Sequence, residues 1–526
     1  FGDLLLHMLN IFRKHTDVLA DYQQRFKYIL VDEYQDICES QQALVRYNAG
    51  EKARVMVVGD DDQTIYTWRG AKPSYILRDF HRDFPGATVY QLTKTWRYGH
   101  ALSCAANYVI SGNEDRAPKL CISGDAAPDT QLHLEWEDPE GKKLLEIVNS
   151  RLTGGDRLAD IAILVRTYSR SGGSQFALLQ AGLPFRLEGG DDVSVLANPW
   201  VVSLLGWMGL ACGRLAKRSY VGDPDVGSVI ELRKVIDVPS LGLSWEGTDK
   251  LVRLVLQHPD NGDGFSLFSR HHLNIADGQL GDKLAQRSKL CRKVPSLEQK
   301  SDRLHPSSLL EQLVSALNIK HGIFKKAKSE EDAEDQWALV EAFMAYVRSN
   351  SEGKSVREFL QHVDDLLSFS ERAKESTDAI HMTSIHRSKG LEWPCVIMIA
   401  LAQGNFPLKP KRALVDEKAD RHLEDERRLF YVGMTRAQSV LYLLAPADAM
   451  LHQWLRAGRS GYPEGLLDNK TQASQFLYES NLYLAKTLPV LIKKHVDLKA
   501  ANPDVYNQYL ANVGVDRSIG KIDLGD

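Results

Sequence analysis

Residues 28–37 read YILVDEYQDI. Tyr28 to Val31 are aromatic or aliphatic, Asp32 and Glu33 follow without a break, and Asp36 comes after Tyr34 and Gln35. An apolar run this short and this rich in strand-forming side chains predicts a buried strand. Its two terminal carboxylates then stand at a sheet edge. An aspartate so placed can hold Mg²⁺, and a neighbouring acid can orient an attacking water. A strand closing in a solvated acidic turn would read the same way.

The pattern recurs along the chain: RVMVVGDDDQ (54–63), TVYQLTKTWR (88–97), IAILVRT (161–167), CVIMIAL (395–401) and SVLYLLAPA (439–447) each run from apolar into polar residues. Helical patterns such as ESQQALVRYNA and SQFALLQAG lie between them. Alternating strands and helices predict an α/β fold with parallel sheets, whose ligands sit beyond the carboxyl ends of the strands. Residues 191–375 differ: they are mostly helical in pattern, as in PWVVSLLGWMGLACG and SVREFLQHVDDLL, with Gly- and Asp-rich breaks (VGDPDVGS, HPDNGDGF). They read as a helical domain inserted into an α/β one, because strand-like sequence resumes at 380. From 448 onward come further amphipathic pieces and a polar end.

The 526 residues are too many for a single core and predict two or three domains. With 25% charged residues and a net charge of −4, no basic surface argues for nucleic acid, so any DNA must be held in a local channel. Six scattered cysteines without a C-x-x-C pair argue against a disulfide framework or zinc site and for reduced thiols in the cytoplasm. No membrane span or signal peptide is visible.

The second chemistry-bearing stretch is VVGDDDQTIYTWRGA (57–71). Gln63 is a neutral donor suited to sensing a terminal phosphate. Tyr66, Trp68 and Arg69 combine aromatic faces with a cation, the means by which single-stranded bases are held without reading sequence. Taken alone, such aromatics also suit a core.

DEYQD with GDDDQTIYTWRGA resembles motifs II and III of superfamily 1 DNA helicases of the UvrD/Rep/PcrA group, the first being a Walker B sequence. LTKTWRYG (92–99) is similar to that family's motif IV, MTSIHRSKGLEWPCVIM (382–398) to motif V and EDERRLFYVGMTRAQSVLYLL (424–444) to motif VI. FGDLL (1–5) and IDVPSLGLS (236–244) are weaker likenesses. The resemblance implies two RecA-like motor domains, the first incomplete. Residues 1–90 would be the later part of the first. Residues 91–190 and 376–447 would form the second, with 191–375 inserted and 448–526 a C-terminal tail. It implies ATP and Mg²⁺ as cofactors, with single-stranded and duplex-junction DNA as partners. The activity would be an ATP-dependent 3′–5′ DNA helicase of repair or replication.

By the same resemblance Asp32 would hold the metal and Glu33 would activate water. Gln63 would contact the γ-phosphate, and Arg97 and Arg436 would stabilise the transferring phosphoryl group. Trp96 takes the adenine-stacking position and Glu392 the position near the ribose. Tyr66, Trp68, Arg69 and His386 would touch single-stranded DNA or couple it to the nucleotide. The sequence departs from the family pattern at Thr95 (usually Asn), Trp96 (usually Tyr), Ser384 (usually Thr) and Gly433 (usually Ala).

Other polar clusters read more plainly. Arg427 and Arg428 suit a solvated helix face, His271 and His272 lack partners at metal-ligand spacing, and the charged run 289–303 suits an exposed surface. No G-x-x-x-x-G-K-[ST] phosphate loop occurs; Gly353-Lys354-Ser355 follows a helical pattern rather than a strand. In the family that loop lies before motif II. The chain, which starts at Phe1, is therefore expected to be part of a longer protein and not to hydrolyse ATP alone. A DNA- or partner-binding module without hydrolysis, or the motor subunit of a helicase–nuclease, are the alternatives.

Overall fold

The apolar run before Asp32 is a strand but not a buried one, since Tyr28 and Leu30 are 66% and 75% exposed; most runs of its kind also form strands. The computed structural model describes residues 2–124, 126–189, 193–211, 226–258, 262–272, 278–298, 305–409, 416–459, 461–463 and 471–494. The chain divides into two compact units, one of residues 1–136, 162–166 and 385–526, the other of residues 137–161 and 167–384.

In the first unit β1 (Tyr28–Val31) pairs in parallel with β2 (Arg54–Val57), Val31 opposite Val57. Two short strands, β3 (Lys94–Thr95) and β4 (Ile122–Ser123), form a second parallel pair. The main sheet of this unit uses β5 (Gln131–Trp136) and β6 (Ile161–Val165), and later strands described below. Every residue of β6 is buried, and for that reason its sequence IAILV is continuously apolar rather than alternating.

The second unit holds β7 (Phe185–Leu187) and β8 (Ile380–Ser384), paired in parallel. Between them the described residues contain helices and no strand, as the periodicity of 191–375 predicts. Their core gathers Trp207, Phe265, Phe343 and Phe359. The indole N–H of Trp207 donates to the Val235 carbonyl at 3.1 Å, which satisfies a fully buried donor. Helix Gly172–Gln180 joins this core through Phe176, stacked on Tyr346 at 4.1 Å between ring centroids. The compact unit therefore begins before the helical stretch does. Gly353-Lys354-Ser355 joins helix Glu330–Asn350 to helix Val356–Ala373, with Ser355 capping the latter through the Glu358 N–H. That is a helix-to-helix turn, not a strand-to-helix phosphate cradle. Residues 299–303 of the charged run, parts of the Gly/Asp-rich breaks, and the polar end from 495 onward lie outside the described residues.

Back in the first unit, β9 (Trp393–Met398) and β10 (Ala437–Ala445) complete a sheet in the order β5-β10-β9-β6, parallel at the β5–β10 and β10–β9 pairings. Helix Asp416–Met434 leads into β10, and its Phe430 meets Phe406 and Phe476 at centroid distances of 5.2 and 5.1 Å. Phe476, Leu477 and Tyr478 are fully buried in the same core. The amphipathic pieces beyond 448 thus include a part of the core of this unit. No described helix is long and apolar enough to cross a membrane.

Arg427 and Arg428 are not a solvated face. Their side chains are 7% and 2% exposed. Arg427 makes two bonds to Glu479, at 2.8 and 3.1 Å, and one to Asn113 at 2.7 Å. Arg428 reaches Asp425, Glu424 and the Asp115 carbonyl. Residues remote in sequence supply most of the acceptors that allow both cations inside. Arg427→Ala strands the Glu479 carboxylate in the core and is expected to cost about 3–5 kcal/mol of stability, measured as a lowered urea midpoint.

Candidate functional site

Parallel pairing brings the carboxyl ends of β1 and β2 side by side. The Val58 N–H donates to the Val31 carbonyl at 2.8 Å, and the Tyr34 N–H donates to the Val58 carbonyl at 2.9 Å. Asp32 and Glu33 leave this edge exposed. Glu33 adopts a left-handed backbone (φ 51°), which turns the chain sharply after the strand. Buried Gln35 lies beneath them. Its Nε2 donates to Glu33 Oε2 at 2.5 Å, and its Oε1 accepts the Asp60 N–H at 3.1 Å. Gly59 is required here, because a Cβ would collide with Gln35 Oε1.

Gln63 is the meeting point. Its Nε2 donates to Asp60 Oδ2 at 2.8 Å, and its Oε1 accepts from Arg436 Nη2 at 3.3 Å. Arg436 follows helix Asp416–Met434, is 1% exposed, and also donates to the carbonyls of Val432 and Leu391. Burial, with Arg97 nearby, pushes its guanidinium down to about 10, so it stays cationic at neutral pH. Arg97 donates to Glu392 and, at 3.2 Å, to the Thr435 carbonyl. Thr95 Oγ1 accepts the Arg97 N–H at 3.3 Å, which gives the residue at the unusual motif position a local role. Gly433 also has a local reason: a Cβ would come within 2.8 Å of the Met398 methyl.

The geometry thus joins Glu33, Gln63, Arg97, Arg436 and Glu392 in one set of contacts. Glu392 is spoken for by Arg97 and by Gln438, whose amide donates to it at 2.9 Å. Trp96 is 60% exposed and its ring lies against Gly124, where a Cβ would overlap the indole.

A second cluster adjoins the first. The Tyr66 hydroxyl donates to the His386 carbonyl at 3.0 Å, and its ring meets Trp68 edge-on at 6.3 Å. The Arg69 guanidinium lies 4.5 Å from the Trp68 centroid and 5.3 Å from that of Tyr66. Trp68 is 67% exposed, so its indole is available as a stacking surface rather than core. Thr67 donates to Asp425 Oδ2 at 2.8 Å and ties this loop to helix Asp416–Met434.

Lys389 links the two clusters and was not singled out by the sequence reading, although it lies inside the motif V stretch. Its Nζ reaches Asp36 at 2.5 Å, the Gln63 carbonyl at 2.9 Å and Glu33 at 3.6 Å, and it sits 5.4 Å from the Tyr66 centroid.

Two acidic groups invite a metal. Asp60, Asp61 and Asp62 bring carboxylate oxygens within 4.8 Å of one another. Lys119 occupies that position, paired with all three, and Arg116 forks onto Asp62 at 2.9 and 2.8 Å. Asp32 is different. Its Oδ1 accepts the Glu33 N–H at 2.9 Å, and no described lysine or arginine pairs with it. One exposed carboxylate suits Mg²⁺, which keeps several waters and takes the rest of its ligands from phosphate.

Comparison with known proteins places the chain in a family. Residues 1–85 match the family model of the UvrD/REP helicase N-terminal domain, and residues 263–446 match that of the UvrD-like helicase C-terminal domain. The chain belongs to the UvrD/Rep/PcrA family of superfamily 1 helicases. It is 30% identical over 454 residues to the ATP-dependent DNA helicase PcrA of Bacillus subtilis, covering 84% of this chain and 58% of that protein. It is 29% identical over 465 residues to PcrA of Leuconostoc citreum (86% and 58%), and 26% identical over 448 residues to a probable DNA helicase II homolog of Rickettsia felis (84% and 64%). The chain therefore spans about three fifths of the length of the relatives it matches.

In this UvrD-family chain His386 carries a testable signature. Burial and the nearby cations Arg166 and Arg69 push its imidazole down to about 4, against the opposing pull of Glu426. The unfolded chain takes up that proton first as the pH falls, so stability is lost between about 6.5 and about 4. Urea midpoints should fall across this window, and His386→Gln should reduce the slope.

Proposed function

We propose that the protein is an ATP-dependent DNA helicase that translocates 3′ to 5′ on single strands, and that this chain supplies the acid, sensor and arginine side of its ATP site. The reading takes residues 1–90 as the later part of one RecA-like motor domain. It takes 91–190 with 376–447 as the second, and 191–375 as a helical domain inserted in it. The observation that carries it is the two-ended bond of Gln63, to Asp60 and to Arg436, which brings the motif III sensor and the motif VI arginine into contact. Cytoplasmic residence and action on single-stranded and duplex-junction DNA in repair or replication belong to the same reading.

The chemistry follows from these side chains. Glu33, anchored by Gln35, is oriented to take a proton from the attacking water. Arg436 and Arg97 are fixed cations, directed by carbonyl acceptors, and offset charge building on the transferred phosphoryl group at little reorganisation cost. Asp32 would hold Mg²⁺, which when bound would neutralise phosphate charge. Gln63 exchanges its bonds to Asp60 and Arg436 against bonds to the terminal phosphate, so gain or loss of that phosphate changes how the motif III loop is held. Three to six residues on, the same loop carries Tyr66, Trp68 and Arg69. Nucleotide state thereby reaches the stacking platform.

The test uses the protein expressed from its complete gene. Single-stranded DNA should stimulate its ATP turnover, and Glu33→Gln should lower the stimulated rate by about 10²-fold or more with ATP binding retained. Trp68→Ala should weaken single-strand binding by about 1–3 kcal/mol, read by anisotropy of a labelled oligonucleotide. DNA binding without any ATP turnover in the wild type would instead favour a non-hydrolysing binding module.

A further inference from the structure

Residues 113–119, NEDRAPK, carry none of the motifs, yet they bind two of them at once. At one end helix Asp416–Met434 grips the segment. The Glu424 carboxylate accepts the Glu114 N–H at 2.7 Å, Arg427 donates to Asn113, and Arg428 donates to the Asp115 carbonyl at 2.9 Å. At the other end the segment grips the start of the motif III loop. Arg116 forks onto Asp62, the Ala117 N–H donates to Asp61 Oδ2 at 2.7 Å, and the Lys119 ammonium pairs with Asp60, Asp61 and Asp62.

Three adjacent carboxylates repel one another, and Asp61 and Asp62 are almost fully buried. Without cations among them the loop could not hold this conformation. Burial alone would depress the Lys119 ammonium, but the three carboxylates outweigh it and raise the group above its ordinary value. Asp60 is the member that matters downstream, since its other oxygen holds the Gln63 amide.

We infer that Arg116 and Lys119 are positioning residues for phosphoryl transfer: they clamp Asp60–Asp62 so that Gln63 meets Arg436. Neither touches the reacting atoms; both act through Asp60 and the loop. The inference rests on the ATPase reading for its catalytic consequence, but the clamp itself is measurable without nucleotide.

Two measurements test it. In the chain described here, Lys119→Ala should speed amide hydrogen exchange over residues 60–66 at least tenfold and leave exchange in β6 unchanged. In the protein from the complete gene, the same change should lower kcat for ATP at least tenfold with KM moved less than threefold, and Lys119→Arg should restore most of the rate. If Lys119→Ala does not fold, Lys119→Gln takes its place in both arms. Exchange over 60–66 that stays at the wild-type rate would overturn the clamp. Faster exchange with kcat within twofold of wild type would overturn the positioning role. A wild type without ATP turnover would overturn the ATPase reading while the exchange result still judged the clamp.

Discussion

One carboxamide holds the site together. A carboxylate can only accept and a guanidinium can only donate, so Gln63 between Asp60 and Arg436 has a single workable orientation. Turned over, it would lose both bonds at once. Its backbone carbonyl is taken as well, by Lys389. Held from the Asp60 side by the 113–119 segment and from the other side by Arg436, Gln63 ties the start of the loop to the end of helix Asp416–Met434.

The charges around that amide are arranged so that few are left unopposed in low dielectric. Lys389 answers Asp36 and Glu33, Lys119 and Arg116 answer the three aspartates, and Glu392 answers Arg97. Where the pair is buried, as with Arg116 and Asp62, removing one partner costs more than the pair contributes, because the survivor stays in the interior without compensation. Asp32, which lies outside these pairings, is the carboxylate suited to an external cation.

Much of this was readable from the chain because strand-to-acid and strand-to-Gln transitions are local patterns. YILVDE and GDDDQ announce themselves within a few residues, the resemblance adds Arg436, and the structure brings Gln63 and Arg436 into contact. What escaped depends on distance along the chain. Arg427 and Arg428 look solvated until Glu479, 52 positions later, and Asn113, 314 positions earlier, are placed against Arg427. Lys119 belongs to no motif, and its partner Asp61 is 58 residues away. The packing of Phe176 with the helical core, on Tyr346 and Phe343, likewise joins residues far apart in the chain. Local spacing carries no record of such pairings; they exist only once the fold has closed.

The motif III loop is fastened at three places: Asp60–Asp62 to the 113–119 segment, Gln63 to Arg436 and Lys389, and Thr67 to Asp425. Attachment at three separate points limits how far one part of the loop can move without the others. The glutamine and the tryptophan lie on one tethered stretch, so a shift of the first strains the attachments beside the second. A displacement at one edge then pulls on the fastenings at the other, as a rocker arm passes on a stroke through the points that hold it.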